Sequence, residues 1–434
     1  MSRPLVLLIY NIALPLFFVF AFPAWLVKMW KRGGYGTGLL ERFALFKCSS
    51  ADEPKDVIYV HAVSVGEVLI GLKLIAAMLE KDEAQRIVIA ATTSTGHAVA
   101  REKSPKSVRV IYSPLDFNFI VRAVFRRFSP QQIVLIESEA WPNLLRIAQK
   151  KNVPVAIVNA RLSARSEARF RKFNFLIKPV INMVSNIGVQ NQADKDRFSG
   201  VGVEAKKLHV TGSIKFDPSG GQIPQKRDEF HDVLDDFGNE HGAGRPVLLL
   251  ASTHQGEEKI LAEAVKKSGA DVILVIVPRH AERRMEVIAD LKLVGYEPLM
   301  KTQYISKLQH ENACLVADTT GELRDWTAHA DFVVIGKSWL GEGGQNPAEA
   351  IAAEVPVICG PNMGNFQPLV SQLCERDAIF MPGSSEALIE LLPSLVSGEV
   401  DLITMSSHAK DVLNSHQYAI EKTLELLEVN ASVR

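Results

Sequence analysis

The 434-residue sequence has no net charge, with 49 basic side chains balanced by 49 acidic ones. That balance removes the electrostatic attraction on which general nucleic-acid binding rests, so no nucleic-acid partner is expected. Cysteine is scarce. Cys48, Cys314, Cys359 and Cys374 are scattered, without CxxC or metal-ligand spacing. This excludes a disulfide framework and a structural zinc site, and suits a reducing compartment. No GxGxxG follows the first strand of either half, so dinucleotide binding has no carrier. Walker A, HExxH, GxSxG and DxD motifs are missing too, which leaves a metal-dependent mechanism without ligands. Charge is also missing locally: Pro4 to Val27 has no ionisable acid or base over a length sufficient to span a bilayer. Arg3 precedes this run, and Lys28, Lys31 and Arg32 follow it. That bias places the rest of the chain on the cytoplasmic side. The run is long and has no clear small-residue cleavage site, so an uncleaved anchor over residues 1–32 is expected rather than a signal peptide. Pro15 and Pro23 leave both a spanning and a half-inserted helix open.

What remains is globular. Hydrophobic residues make up 47% and charged residues 23%, and the length suits two domains. Gly33 to Phe43 reads as a flexible segment whose Glu41 and Arg42 form a solvated pair. Short apolar runs then alternate with amphipathic stretches. Val57 to Ala62, Ile87 to Ala91, Val108 to Tyr112, Ile133 to Ile136, Pro154 to Asn159 and Ile187 to Val189 read as strands. After a polar linker over 218–240 the pattern resumes with Val247 to Ala251, Asp271 to Val277, Cys314 to Asp318, Phe332 to Ile335 and Val355 to Gly360. Asp411 to Leu427 reads as a closing amphipathic helix. Strands alternating with helices predict parallel, doubly wound sheets with right-handed crossovers. The expected domains are 33–217 and 241–410, with 411–434 as the final helix.

Ligands of such sheets lie beyond the carboxyl ends of the strands. His61, Ser64, Glu67, Thr93, Glu137, Glu139 and Arg161 all fall at such ends in the first half. Each alone could be a helix cap; together they point to a site. In the second half, Gly336 to Ala350 (GKSWLGEGGQNPAEA) links a strand to a helix. Pro347 suits a first helical position with Asn346 as N-cap. The glycines and helix start suit a phosphate, and Glu349 in the first turn suits sugar hydroxyls. A capped glycine-rich turn is the plainer alternative.

The ordered motifs His61-Ala-Val-Ser-Val-Gly-Glu67, Thr92-Thr-Ser-Thr-Gly96, Glu137-Ser-Glu-Ala-Trp-Pro-Asn143, Val158-Asn-Ala-Arg-Leu-Ser163, Gly212-Ser-Ile-Lys-Phe-Asp217, Ser252-Thr-His-Gln-Gly-Glu257, Val277-Pro-Arg-His280, Gly321-Glu-Leu323 and Gly344-Gln-Asn-Pro-Ala-Glu349, with Gly38-Leu-Leu-Glu-Arg42 behind the anchor, resemble one family. It is the transferases of 3-deoxy-D-manno-octulosonic acid (Kdo) that act in lipopolysaccharide biosynthesis. The resemblance implies an α/β GT-B fold: two facing Rossmann-like domains with parallel sheets, preceded by a membrane-anchor helix. The N-terminal domain would take the acceptor and the C-terminal one the nucleotide sugar. It implies inverting transfer of Kdo from CMP-Kdo to the lipid A precursor, lipid IVA, on the cytoplasmic face of the inner membrane, with no metal or other cofactor.

By the same resemblance, Glu41 matches the family's base and Glu139 orients substrate. Lys215, Thr253, His254, Pro278, Arg279, Gly321, Glu322, Leu323, Lys337, Ser338, Asn346 and Glu349 would bind the donor. Arg279 supports the phosphate, and Asn346 with Glu349 the ribose. Ser64, Gly66, Glu67, Thr93 and Arg161 would face the acceptor. Two positions depart from the family: Lys337 replaces a usual glycine, and Gln345 a usual histidine. A transferase for another sugar nucleotide, or a scaffold that has lost the chemistry, are the competing expectations.

Overall fold

The structure is a computed structural model that describes residues 2–32, 38–46, 53–137, 140–218, 224–241, 244–303 and 312–432. The chain divides into two compact units. One comprises 1–217 together with 416–434, and the other 218–415.

The first unit holds β1 (Ile58–Ala62), β2 (Ile87–Ala91), β3 (Arg109–Tyr112), β4 (Gln132–Ile136), β5 (Val155–Ala160), β6 (Asn186–Val189) and β7 (Leu208–Val210). They form one parallel sheet in the order β3-β2-β1-β4-β5-β6-β7. Alternate residues point to opposite faces, and both faces are covered: Val57 and Tyr59 enter one buried cluster, Ile58 and Val60 the other. The strand order reverses between β1 and β4, where such sheets bind ligands.

The second unit holds β8 (Val247–Thr253), β9 (Ile273–Pro278), β10 (Glu297–Met300), β11 (Ala313–Val316), β12 (Phe332–Ile335) and β13 (Val357–Cys359). They form a second parallel sheet, β10-β11-β9-β8-β12-β13, whose order reverses between β8 and β12.

Two expectations change. Within 218–240, Asp228–His241 is helical rather than linker, with Phe230 and Phe237 fully buried. The closing helix is not continuous. Leu402–Asn414 ends in the second unit, and Ala419–Ser432 returns to the first, where Leu424 and Leu427 join the core. The break is held by Asp217, whose carboxylate accepts the Tyr418 and Ile420 N–H groups at 3.2 and 3.0 Å.

α1 (Arg3–Arg32) runs unbroken through Pro15 and Pro23. Its Arg3–Ala24 stretch, with mean hydropathy 2.5, is long and apolar enough to cross a membrane. One stripe of it lies along the first unit. Val6 and Leu7 enter the core. The Tyr10 hydroxyl donates to Asp116 Oδ2 (3.0 Å), and the Asn11 and Asn143 amides exchange bonds of 3.1 and 2.9 Å. Phe18 packs edge-on against Phe43 and Phe117. These positions recur every three to four residues. Leu5, Leu8, Ile12, Leu16 and Phe20 are exposed.

Candidate functional site

In the first unit the strand ends are closed largely by caps. Ser64 begins α3 (Val65–Lys81) with a reciprocal capping box. Its hydroxyl accepts the Glu67 N–H, and the Glu67 carboxylate accepts the N–H groups of Val63 (2.8 Å) and Ser64 (3.2 Å). Burial raises the Glu67 pKa. Thr93 caps α4 (Ser94–Lys103) by accepting the Gly96 N–H at 3.1 Å. Ser64, Glu67 and Thr93 are therefore tied to the backbone. These bonds give the three side chains a supporting role at the start of each helix. Gly66 differs. It is exposed in the first turn of α3, and a Cβ there would meet nothing closer than Ser64 Oγ at 3.8 Å. Arg161 follows β5, near enough to Asp194 and Lys215 to perturb both. Lys215 lies in this unit too, where burial lowers its pKa and Glu137 raises it in opposition. Glu139 lies outside the described residues.

Glu41 sits in the short helix α2 (Leu39–Arg42), and its Oε2 accepts the Tyr112 N–H at 3.0 Å at the end of β3. Arg42 is buried, donates to Thr92 O (2.5 Å) and lies over the Tyr112 ring. The solvated Glu–Arg pair expected here is thus replaced by two side chains anchored on β2 and β3. Two residues on, Phe43 touches Phe18 of α1. A carboxylate at the strand-end edge therefore adjoins the apolar helix.

His61 is buried at the end of β1, and neither ring nitrogen has a hydrogen-bond partner among the described residues. Burial pushes its pKa down to about 4. The folded chain therefore holds neutral imidazole while the unfolded chain takes up a proton near pH 6.5. This contribution to stability is complete above pH 6.5 and is lost as pH falls toward 4. Asp116, raised to about 7 by burial, has the opposite slope, so a variant must isolate the histidine. His61→Phe should gain about 2 kcal/mol over the parent between pH 7.5 and 5 in urea unfolding. A pH-independent difference would show that His61 is not held neutral.

In the second unit the two loops at the strand-order reversal are joined by one side chain. Glu257 opens the helix Glu257–Ser268 after β8 and is 0% exposed. Its Oε2 accepts the N–H groups of His254 (3.0 Å) and Lys337 (2.6 Å), and its Oε1 those of Trp339 (3.0 Å) and Leu340 (3.4 Å). The glycine-rich loop after β12 thus already cradles an anion, and that anion belongs to the protein. The N–H groups of Lys337, Trp339 and Leu340 are thus already engaged by Glu257. The helix start is engaged as well. Ala348–Ala352 begins after Pro347, and Asn346 Oδ1 accepts the Ala348 N–H at 3.1 Å. Pro347 therefore precedes the helix rather than opening it.

Glu258, also fully buried, accepts the Thr253 hydroxyl (2.8 Å) and the Arg283 guanidinium (3.0 Å). Through Arg283 it fixes the segment after Pro278-Arg279-His280. Ser338 is fully buried, donating to Ile335 O and accepting the Gly360 N–H. Thr253 and Ser338 are thus buried and tie these loops together. Pro278 ends β9 buried, and Arg279 N donates to Thr253 O at 3.0 Å. The Arg279 side chain is exposed and has no partner among the described residues. Gly321 is exposed with φ +88, Glu322 pairs with Lys301 (2.9 Å), and Leu323 opens the next helix. Asn346 is exposed, and Glu349 pairs with Arg324 at 3.3 Å. The Gln345 amide meets His254 Nε2 at 2.9 Å. With the amide donating, that imidazole nitrogen is unprotonated. Burial lowers the His254 pKa, and Lys337 adds to the shift.

Gly336 is obligatory, since a Cβ there would lie 2.3 Å from Ser252 O. Its neighbour Lys337 has φ +55, a conformation that favours glycine. The departure from the resembled pattern therefore falls on a strained backbone. Lys337→Gly should stabilise the chain by up to about 1 kcal/mol in urea unfolding. A lower midpoint would mean that the lysine side chain contributes more than its strain removes.

Residues 37–218 match the family model described as 3-deoxy-D-manno-octulosonic-acid transferase (kdotransferase). A 3-deoxy-D-manno-octulosonic acid transferase of Haemophilus influenzae is 29% identical over 400 residues, covering 91% of both chains. One from Bordetella pertussis is 29% identical over 416 residues, covering 92% of this chain and 94% of its own. Among solved structures, the UDP-GlcNAc 2-epimerase of Neisseria meningitidis superposes with a TM-score of 0.52 at 13% identity, over 86% of this chain and 99% of that one. That likeness concerns the fold alone. Two parallel-sheet Rossmann-like units in this arrangement of elements are the GT-B fold.

Proposed function

We propose that this chain, which is similar to 3-deoxy-D-manno-octulosonic acid transferases over 91% of its length, moves Kdo from CMP-Kdo to the lipid A precursor with inversion, at the cytoplasmic face of the inner membrane. The acceptor hydroxyl oxygen attacks the anomeric carbon of Kdo. The bond to the CMP phosphate oxygen breaks, and the hydroxyl proton passes to a base. Glu41 is the proposed base, because it lies at the strand-end edge beside α1, where a lipid-borne sugar would be presented. Arg279 is the proposed partner of the departing phosphate. Gly66 leaves room beside α3 for the acceptor or the Kdo ring, with Arg161 at the same edge. Asn346 and Glu349 are proposed for the ribose.

The observation that carries the reading is Arg279. It is an exposed guanidinium with no partner among the described residues, at the strand-end edge of the unit whose loops Glu257 and Glu258 hold in place. With Lys337, Trp339 and Leu340 N–H groups engaged by Glu257, Arg279 offers an exposed guanidinium to a donor phosphate. The test is transfer by the purified chain from CMP-Kdo generated in situ to tetraacylated lipid A precursor, read by mass spectrometry. A product heavier by one or more Kdo units is expected. Donor competition by UDP-sugars but not by CMP-Kdo would overturn the donor assignment.

A further inference from the structure

A groove of about 520 Å³ opens between α5 (Asn118–Phe128) and α6 (Pro142–Lys150). Arg122 and Arg126 line it from α5; Arg146, Lys150 and the adjoining Lys151 line it from α6. No acidic residue among those described lines it. None of the five cations has an ion pair among the described residues.

Helix dipoles account for part of this. Arg126, Lys150 and Lys151 sit at helix C-termini, where a cation is favourable. Arg122 and Arg146 do not. Each instead stands four residues before another cation on its own helix, Arg126 and Lys150 respectively, an unfavourable like-charge spacing. Two such pairs facing one groove are repulsive unless an anion lies between them.

The surroundings identify the anion's source. Phe119, 67% exposed, stands at the rim. Arg146 and Lys150 also line the neighbouring hollow, where Arg3, Leu8 and Asn11 of α1 form the other wall. The charged groove therefore abuts the apolar helix. Helices antiparallel to their strands carry their C-termini to the sheet edge opposite the candidate site, so the acceptor's reacting end is not the neighbour of Lys150 and Lys151. We propose that this groove binds phosphate headgroups of anionic phospholipids and so seats the first unit on a bilayer beside α1. The proposal rests on α1 being a membrane helix and not on the Kdo-transfer reading, since its test reads binding alone.

The full chain would be floated with vesicles of phosphatidylcholine, alone or mixed with phosphatidylglycerol. Phosphatidylglycerol should raise binding of the parent. The combined variant Arg122→Gln, Arg126→Gln, Arg146→Gln should lose that gain by about tenfold or more, while keeping both its melting temperature and its binding to phosphatidylcholine. The corresponding lysine variant should retain the gain, and added salt should abolish it. An undiminished gain in the glutamine variant would overturn the proposal. So would displacement of the parent by inorganic phosphate at constant ionic strength, which would make the groove a free-phosphate site. A glutamine variant that binds both vesicles normally but needs more acceptor in neutral micelles would overturn it too, reassigning the groove to the acceptor's own phosphates.

Discussion

Glu41→Gln is expected to lower Kdo transfer by about a thousandfold while leaving CMP binding and the melting temperature near the parent's. The substitution separates two roles that Glu41→Ala would merge. Glu41 Oε2 accepts the Tyr112 N–H at the end of β3, so removing the whole side chain also releases α2 from the sheet. Glutamine keeps a carbonyl oxygen for that N–H but cannot take a proton. If Glu41 only positions α2, the glutamine variant keeps its rate. If Glu41 is the base, the rate collapses with the fold intact, and the alanine variant adds instability without a comparable further loss of rate. Single-turnover transfer at saturating donor, together with CMP titration, distinguishes these outcomes. Retained transfer by Glu41→Gln would remove Glu41 as the base and direct attention to the other carboxylates at that edge.

The parallel sheets are legible in the sequence because their central strands are buried on both faces, which leaves continuous apolar runs such as Val247 to Ala251. The strands that reasoning passes over are edge strands. β7 has three residues, two of them exposed, and β10 includes Pro298, which lacks an N–H donor. Neither has enough apolar length to register as a strand. The helix Asp228–His241 is hidden differently: its acids and glycine read as linker, although Phe230 and Phe237 at seven-residue spacing mark a buried stripe. The docking of α1 is hidden by its hydrophobicity. Tyr10 and Asn11 are its polar interruptions, and they are the residues that bond Asp116 and Asn143.

Site residues separate along a similar line. Ser64, Thr93 and Glu67 carry the spacing of capping residues, and the structure uses them as caps. Local spacing is visible because the partner lies within four positions. Glu257 is quoted readily as part of a motif, yet three of its four partners are 80 or more positions away in sequence. Adjacent acids opening a helix look like complements to the helix dipole. Nothing in their spacing tells that one reaches the β12 loop and the other Arg283. The glycine loop hides its tie for the same reason: it binds an anion at the N–H groups of Lys337, Trp339 and Leu340, and that anion is a side chain.

Glu257→Ala should therefore damage the second unit more than any substitution in the exposed donor set. It would leave four buried or half-buried N–H groups, those of His254, Lys337, Trp339 and Leu340, without their acceptor. Each unsatisfied group costs roughly 1–3 kcal/mol before relaxation. A total of about 4 kcal/mol is expected after water and loop movement recover part of it. Glu257→Gln should fall between alanine and parent, because one amide oxygen still accepts while the NH₂ group faces donors. CMP affinity should follow the same order, since the β8 and β12 loops lose their common tie. Arg279→Ala provides the contrast: it should weaken CMP binding with unfolding unchanged, because the exposed side chain has no hydrogen bond or ion pair among the described residues. Urea unfolding and CMP calorimetry on the three variants decide between a tie and a ligand contact. Unchanged unfolding in Glu257→Ala would mean that the loops hold their form without it. Unchanged CMP affinity in a destabilised Glu257→Ala would show that the nucleotide does not use these loops, and the donor assignment of the second unit would have to move with it.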